Sequence, residues 1–164
     1  MYDFLTGPDG YLILRLAHII GATVLFGTGS GIAFFMLMAQ RSKDVRVIAY
    51  TAGIVVLADF LFTTSAVIVQ PLTGLGLIWT VGYGYLDSWI VAAVGLYIFT
   101  GIFWLPVVWI QLQLRDIARR SVEENTPLPE RYHRLFRIWF ACGFPAFTAV
   151  FLIFILMIWK PVLW

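Results

Sequence analysis

Four long apolar runs constrain this chain more than any other feature of its sequence. They cover residues 11–39, 47–70, 89–113 and 135–159. Each is long enough to cross the hydrocarbon core of a bilayer, which takes about 20 apolar residues in a helix. Helices are predicted because a lone segment in lipid must satisfy its own backbone polar groups. The predicted fold class is therefore all-α, a polytopic membrane four-helix bundle, with residues 1–164 forming a single membrane domain.

The composition excludes an ordinary water-soluble globule. Of the 164 residues, 61% are hydrophobic and 12% are charged, whereas soluble domains contain about 25% charged residues. The single cysteine, Cys142, lies in the fourth run, which excludes a disulfide framework or a thiolate metal cluster within the chain. The start, Met1–Phe4, has no basic segment, and the first run is too long for a cleaved signal peptide. We therefore expect an uncleaved first helix.

Basic residues are concentrated in two of the three connections between the runs. Residues 40–46 contain two arginines and a lysine, residues 114–134 contain five arginines, and residues 71–88 contain no arginine or lysine. Cytoplasmic loops carry the excess of basic residues in membrane proteins. The first and third connections are therefore predicted to lie inside, and both termini outside. Basic residues confined to linkers beside the membrane also exclude a nucleic-acid partner.

Glycine and proline positions predict how the helices pack and end. Gly27 and Gly31 form a GxxxG pair, which lets another helix approach closely. This pair predicts a homo-oligomer or a partner within a membrane complex, and a flat ligand lying against the same glycine face is the alternative. Gln70–Gly74, which contains Pro71, predicts a sharp stop of the second span, with Leu75–Trp79 lying in the outer interface. The linker is predicted to be helical over 114–122 and to break at 125–129, where two prolines lie close together.

Three ionisable residues lie deep within the runs, Arg15, His18 and Asp59, whereas Arg137 lies at the inner edge of the fourth run. Such residues cost about 2.5 to 3.5 kcal/mol on insertion scales and mark functional sites or polar pairs. Measured from the ends of the runs, His18 lies about 10 Å and Asp59 about 12 Å from the outer side. The first two spans should be antiparallel neighbours, so this common depth predicts a contact between His18 and Asp59.

Polar residues at helical spacing predict the interior face of the second and third spans. On the second span this stripe comprises Asp59, Thr63, Ala66 and Gln70. On the third span, the residues expected to line the same interior are Tyr97, Gly101, Trp104 and Gln111. Helical neighbours at these spacings share one face, and polar side chains avoid the lipid.

Three interpretations of the ionisable residues are open. They can form a polar network that fixes packing, with Asp59 paired to Arg15. They can bind haem b, with His18 as the metal ligand and Arg15 near a propionate at the outer interface. Gly21 and Ala22 would then let the porphyrin lie against the helix, and Asp59 would be the catalytic residue that orients His18 or accepts a proton. They can also transfer protons, as in a small proton-coupled carrier.

A second histidine ligand is not available within the chain. The other histidine, His133, belongs to the basic inner linker, on the opposite side of the membrane from His18. A bis-histidine haem would therefore require a second subunit. Side-chain binding of a transition metal is not favoured, because one histidine and one carboxylate form an incomplete ligand set.

Three stretches of the chain resemble a bacterial family of predicted four-span integral membrane proteins of unknown function. They are Leu16–Gly27, Gln70–Gly74 and Trp104–Trp109. The resemblance covers nearly all of the chain and implies a multi-pass protein of the bacterial inner membrane, with the outer side facing the periplasm. It implies no activity.

A histidine followed by apolar and small residues in the first span more distantly resembles two further groups. These are the haem-binding membrane protoporphyrinogen oxidase and the copper-resistance membrane proteins. The first resemblance implies that His18 is a haem ligand. The oxidase also has a basic residue, typically a lysine, in a later span, whereas the later spans of this chain have none between Arg137, at the inner edge of the fourth, and Lys160, at its outer end.

The function predicted from the sequence is a b-type haem-binding redox or electron-transfer protein of the membrane. The alternatives are a non-enzymatic subunit of a larger membrane complex and a small proton-coupled carrier. The missing basic residue argues against porphyrinogen oxidation but leaves haem binding open. Whether the protein is an enzyme is not decided by these residues.

Overall fold

The computed structural model describes residues 8–164, which form α-helices and one π-helical turn. The elements are α1 (Pro8–Ser42), α2 (Val45–Ala58), the π turn (Asp59–Thr63), α3 (Thr64–Val81), α4 (Ser88–Glu123) and α5 (Glu130–Trp159). Because α2, the π turn and α3 are continuous, the described residues contain four helices long and apolar enough to cross a membrane. The all-α, four-span prediction is confirmed. Met1–Phe4, the basis for expecting an uncleaved first helix, lies outside the described residues.

The connections divide the bundle into two ends. The basic end contains residues 43–44 and 124–129, and the termini end contains the start of α1, residues 82–87 and residues 160–164. At the basic end, the Asp44 carboxylate accepts a hydrogen bond of 2.8 Å from the Arg46 backbone amide and caps α2. As predicted, the linker is helical over 114–122 and is broken over 125–129. Which end faces the cytoplasm stays a prediction from the positions of the basic residues.

The second helix does not stop at Gln70–Gly74. It continues through Pro71 to Val81, so the predicted stop is wrong, and Leu75–Trp79 lies inside α3 rather than in a separate interfacial segment. Proline has no amide hydrogen, which leaves the carbonyl four residues earlier, that of Val67, without its helical donor. The Tyr97 hydroxyl of α4 donates to this carbonyl at 2.5 Å. A neighbouring helix therefore replaces the lost hydrogen bond, and the helix can continue.

Two pairs of helices make up the bundle, and they are joined at the basic end. Helix α1 packs on α3, α4 packs on α5, and α2 contacts both α1 and α4. The buried apolar core is concentrated in the half nearer the basic end, where Leu114, Ala118 and Tyr132 are fully buried. Small side chains on facing helices, among them Ala52 and Ala118, let the backbones approach closely.

At the termini end, individual side chains connect the elements. Phe26 of α1 packs against Phe147 and Phe154 of α5, with ring centroids 4.6 and 5.4 Å apart. The backbone amide of Leu163 donates to the Ser88 hydroxyl at 2.8 Å, which fixes the C-terminal segment to the start of α4. The ammonium group of Lys160 donates to the Tyr83 hydroxyl, and it also lies over the Trp89 ring.

The glycine face of α1 has no helix packed on it within the described residues. A Cβ atom added at Gly27 or Gly29 would meet no heavy atom within 4 Å, and at Gly31 it would meet only Phe35 of the same helix, at 3.7 Å. This face is therefore open to another helix, although the oligomer itself stays a prediction.

Candidate functional site: the His18 seam and the buried Asp59

The side chain of His18 is half-buried between α1 and α3, and its orientation is set by a threonine. Its Nδ1 lies 2.9 Å from the Thr73 hydroxyl. That hydroxyl donates its own hydrogen to the Val69 carbonyl of the preceding turn, at 2.8 Å. A hydroxyl that donates to Val69 accepts from the imidazole, and on this basis we assign the ring hydrogen to Nδ1. In the neutral ring, Nε2 then carries a lone pair that can bind a metal or accept a proton.

Helices α1 and α3 approach each other closely around His18. A Cβ atom at Gly74 would lie 3.4 Å from Cε1 and 3.9 Å from Nδ1 of the imidazole, so the ring rests on a glycine of α3. The amide of Gln70 donates to the backbone carbonyl of His18 at 2.8 Å. The contact between the two helices, which we call the His18 seam, comprises His18, Gly21, Gln70, Thr73 and Gly74.

The space beside Gly21 is already occupied. A Cβ atom at Gly21 would lie 2.8 Å from Nε2 of Gln70, which fills the position that we expected a porphyrin to take. Ala22, the next residue, is half-buried. The small residue at position 21 therefore serves the packing of α1 on α3, and this face of α1 does not fit a flat ligand.

Arg15 is exposed and lies one helical turn from His18 towards the termini end. Its guanidinium group donates to the Tyr11 hydroxyl at 3.3 Å and lies 6.0 Å from the centroid of that ring. Arg15 forms no ion pair with Asp59 or any other described carboxylate, so the Arg15–Asp59 pair of the packing interpretation is not present.

Asp59 is buried in the middle of the second helix, at the first residue of the π turn. It is 5% exposed, and Oδ1 accepts a hydrogen bond of 3.4 Å from Nε1 of Trp104 in α4. The wider π turn places Asp59 and Thr63 on the same interior side, while Phe60, Leu61 and Phe62 between them face outward. None of the cationic groups in the described residues forms an ion pair with this carboxylate.

The predicted contact between His18 and Asp59 is wrong. His18 contacts Thr73, which lies 14 residues beyond Asp59, or about 21 Å along the helix at about 1.5 Å per residue. The error came from comparing depths measured from opposite ends. Helix α1 has 35 residues, about 52 Å, and is far longer than a hydrocarbon core of about 30 Å. The short connection at the basic end sets the register instead, and it places His18 beside α3.

The polar stripe on the second span is confirmed, but it extends further than predicted. Asp59, Thr63 and Ala66 are buried, and Gln70 bonds to α1. Thr73 continues the same spacing by three residues, and its role was missed because Pro71 was interpreted as the end of the helix. On α4, Gln111 is buried, and Trp104 and Tyr97 bond to the second helix. Gly101 has no neighbouring heavy atom within 4 Å of its added Cβ position.

The described part of the chain contains no cluster of three or more histidine, cysteine, aspartate or glutamate residues that could hold a metal ion. His133 lies near the start of α5 at the basic end, with Nδ1 3.5 Å from the Gln40 amide. This position agrees with its predicted separation from His18. Among the residues of the seam, His18 is therefore the only one whose side chain is a typical metal ligand.

Comparison with known proteins gives a family but no activity. Residues 12–161 match the model of a family described as "Predicted integral membrane protein (DUF2269)". No curated protein and no solved structure matches the chain. The match extends over nearly the whole chain, so the protein belongs to this family of predicted integral membrane proteins, and the predicted resemblance to an uncharacterised membrane family is confirmed.

Proposed function

We propose that this member of the family binds haem b through Nε2 of His18 and serves as a redox or electron-transfer protein of the membrane. The observation that carries the proposal is the hydrogen bond between Nδ1 and Thr73. Haem-ligating histidines donate their other ring hydrogen to a fixed acceptor, which sets the tautomer and raises the basicity of the ligating nitrogen. Thr73 supplies such an acceptor, because its own hydrogen is held by the Val69 carbonyl.

His18 fits the role of an axial haem ligand better than the Gly21 face fits a porphyrin ring. Nε2 of His18 lies beyond 4 Å from the Cβ position at Gly74, so it is on the part of the ring further from α3. The Gly21 face does not fit, because Gln70 fills it. The proposal therefore rests on the nitrogen, and Gly21 contributes to it by letting α1 pack closely on α3 beside Gln70.

The neighbouring residues have separate roles in this proposal. Thr73 orients the imidazole, and Arg15 is placed to bind a propionate at the exposed edge of the seam. A bound haem would supply one-electron transfer at its iron. Asp59 lies too far along the helix to orient His18, so its proposed role is that of a separate proton-accepting group in the bundle interior.

The absorption spectrum of the purified protein tests this function. We expect a Soret band in protein from haem-sufficient cells, or after haem is added to the protein in detergent, and loss of the band in His18→Ala. Thr73→Val should shift the reduction potential, whereas Thr80→Val should not, because Thr80 bonds only within its own helix. A folded, helical wild-type protein that stays colourless after haem addition would refute haem binding.

Proton-coupled transport is the second candidate, and Asp59 favours it. A carboxyl group that is buried in a membrane helix, with no cationic partner among the described residues, is a typical element of proton relays. The π turn that holds it is a geometry often found at functional sites. A pH-sensitive dye inside proteoliposomes should report a proton flux with the wild-type protein and with the exposed variant Glu130→Gln. It should report no flux with Asp59→Asn. Equal flux in all three proteins would exclude this role.

The partner and the location complete the proposal. A second copy of the chain, or another subunit, would pack on the Gly27–Gly31 face, which is open in the described structure. The protein would lie in the bacterial inner membrane, with the basic end in the cytoplasm. Cross-linking of a single cysteine at position 27, in a Cys142→Ser background, should capture this contact, whereas a cysteine at exposed position 105 should give no cross-link.

A further inference from the structure

We propose that the groove between α2 and α4 at the basic end binds one anionic phospholipid. The groove has a volume of about 540 Å³ and is lined by Arg46, Tyr50, Ile54 and Leu57 of α2 and by Arg119 of α4, which reaches the groove at Gly53. This inference is independent of haem binding, because the groove lies at the opposite end of the bundle from His18.

The apolar part of the groove fits an acyl chain. Tyr50, Ile54 and Leu57 are 73%, 47% and 57% exposed, and they lie on one face of a membrane-spanning helix. Lipid tails must cover such a face in the bilayer. Gly53, in the same groove, has no side chain, and the Arg119 guanidinium group lies over it, so the apolar surface available to an acyl chain is that of Tyr50, Ile54 and Leu57.

The polar part of the groove fits a phosphate group. A Cβ atom at Gly53 would lie 3.3 Å from Nη2 of Arg119, so this guanidinium group reaches from α4 across to α2. Gly53 lies seven residues beyond Arg46, about 10 Å along α2. The two guanidinium groups are thus placed along the same groove, and guanidinium groups bind phosphate with paired hydrogen bonds.

The charges around the groove favour an anionic occupant. Glu123 also lines the groove, and Asp44 caps α2 nearby, but neither carboxylate forms an ion pair with Arg46 or Arg119. The ion pairs of the described residues are Arg115–Asp116 and Arg137–Glu130, both outside the groove lining. Asp44 is not part of the lining, so the groove itself contains two guanidinium groups and one carboxylate, and an anionic phospholipid headgroup neutralises the resulting positive charge.

Native mass spectrometry of the full chain in detergent tests the lipid site. Phosphatidylglycerol and phosphatidylcholine with the same acyl chains are added separately at equal molar ratio. We expect preferential retention of one phosphatidylglycerol. Its affinity should fall about fivefold in Arg46→Gln and in Arg119→Gln, since each basic residue near a lipid headgroup contributes about that factor. Arg134→Gln is the matched control, because it removes the same charge from the basic end but outside the groove.

The apolar slot and the source of the phosphate are tested separately. Gly53→Leu places a side chain in the groove, where it also meets Nη2 of Arg119, and it should abolish retention of the lipid, whereas Gly29→Leu, at an open position on α1, should not. An excess of inorganic phosphate should not release the lipid. Equal retention of both lipids, an equal loss in Arg134→Gln, or displacement by phosphate would each overturn the proposal. Circular dichroism and the thermal midpoint show that every variant is folded before it is compared.

Discussion

The two halves of the bundle are built in different ways, although the same apolar helices run through both. In the half near the basic end, a cluster of buried apolar residues from α1, α2, α4 and α5 fills the space between the helices. In the half near the termini end, α1 with α3 and α4 with α5 are packed as pairs. The contacts between these pairs include Phe26 with α5 and Tyr97 with α3.

This difference shows where specific packing is possible in a membrane. Apolar side chains gain little by leaving lipid for protein, so close contact and hydrogen bonds decide which helices associate. Ala49, Ala52 and Ala118 supply close contact at the basic end. At the termini end, hydrogen bonds from Gln70 and Tyr97 supply the specificity instead. The candidate His18 site lies in this second half, where the helices leave more surface accessible.

The largest loss of stability is expected from a cavity in the half near the basic end. Leu114 is fully buried, and Leu114→Ala should lower the free energy of unfolding by about 2 kcal/mol, at the low end for such substitutions because lipid also solvates leucine. Leu105→Ala, on the same helix but 65% exposed, should change it by less than about 0.5 kcal/mol. Reversible unfolding in mixed micelles measures both variants. Equal effects would contradict the division of the bundle into two halves.

A smaller loss of stability is expected when the hydrogen bond that compensates for Pro71 in the second helix is removed. Tyr97→Phe leaves the Val67 carbonyl without a donor and should cost about 1.5 kcal/mol. Pro71→Ala restores a helical amide for the same carbonyl, so Tyr97→Phe should be almost neutral in the Pro71→Ala background. Unfolding of the two single variants and the double variant gives the coupling energy. Additive effects would show that Tyr97 does not compensate for the proline.

The hydrogen bond in the His18 seam should contribute less to the free energy of unfolding than the hydrogen bond of Tyr97 does. Thr73→Val removes the acceptor for Nδ1 and should lower the free energy of unfolding by about 0.6 kcal/mol, a typical value for a polar contact between membrane helices. Thr80→Val, which removes a bond within α3 alone, is the control. The difference between the two variants, measured in the same micelles, isolates the contact between the helices. No difference would mean that the imidazole is held by packing on Gly74 alone.

The smallest effect is expected for the exposed ion pair at the basic end. Arg137 and Glu130 lie 3.4 Å apart, with side chains 73% and 82% exposed. Glu130→Gln should change stability by less than about 0.5 kcal/mol, because water and salt screen such pairs. Unfolding at low and high salt should therefore give almost the same midpoint for wild type and variant. A large effect would mean that charges, and not the apolar cluster, hold this half together.

Much of the fold could be predicted from the sequence, since each span must satisfy its backbone within one apolar run. The four helices, the broken linker at 125–129 and the interior stripe beginning at Asp59 are confirmed. The end of the second helix could not be predicted from the residues around Pro71. The hydroxyl that replaces the missing hydrogen bond belongs to Tyr97, which lies in another helix.

The candidate site was predicted only in part, for a related reason. The sequence identified His18 as a buried imidazole that needs a partner, but it assigned that partner to Asp59. Choosing between Asp59 and Thr73 requires the register between two helices, and depth estimates along long helices do not fix it. Thr73 follows the stripe by three residues, so periodicity alone placed it correctly once the helix was known to continue.

The sequence by itself determined that this chain is an integral membrane protein of four helices, because 164 residues with four such apolar runs have few other folds available. It also determined which residues are chemically out of place in lipid: Arg15, His18 and Asp59. Only the tertiary structure decided their surroundings. His18 lies against Thr73, Gln70 fills the space at Gly21, and Asp59 bonds to Trp104, because helix register and close contact are properties of two chain segments rather than of one.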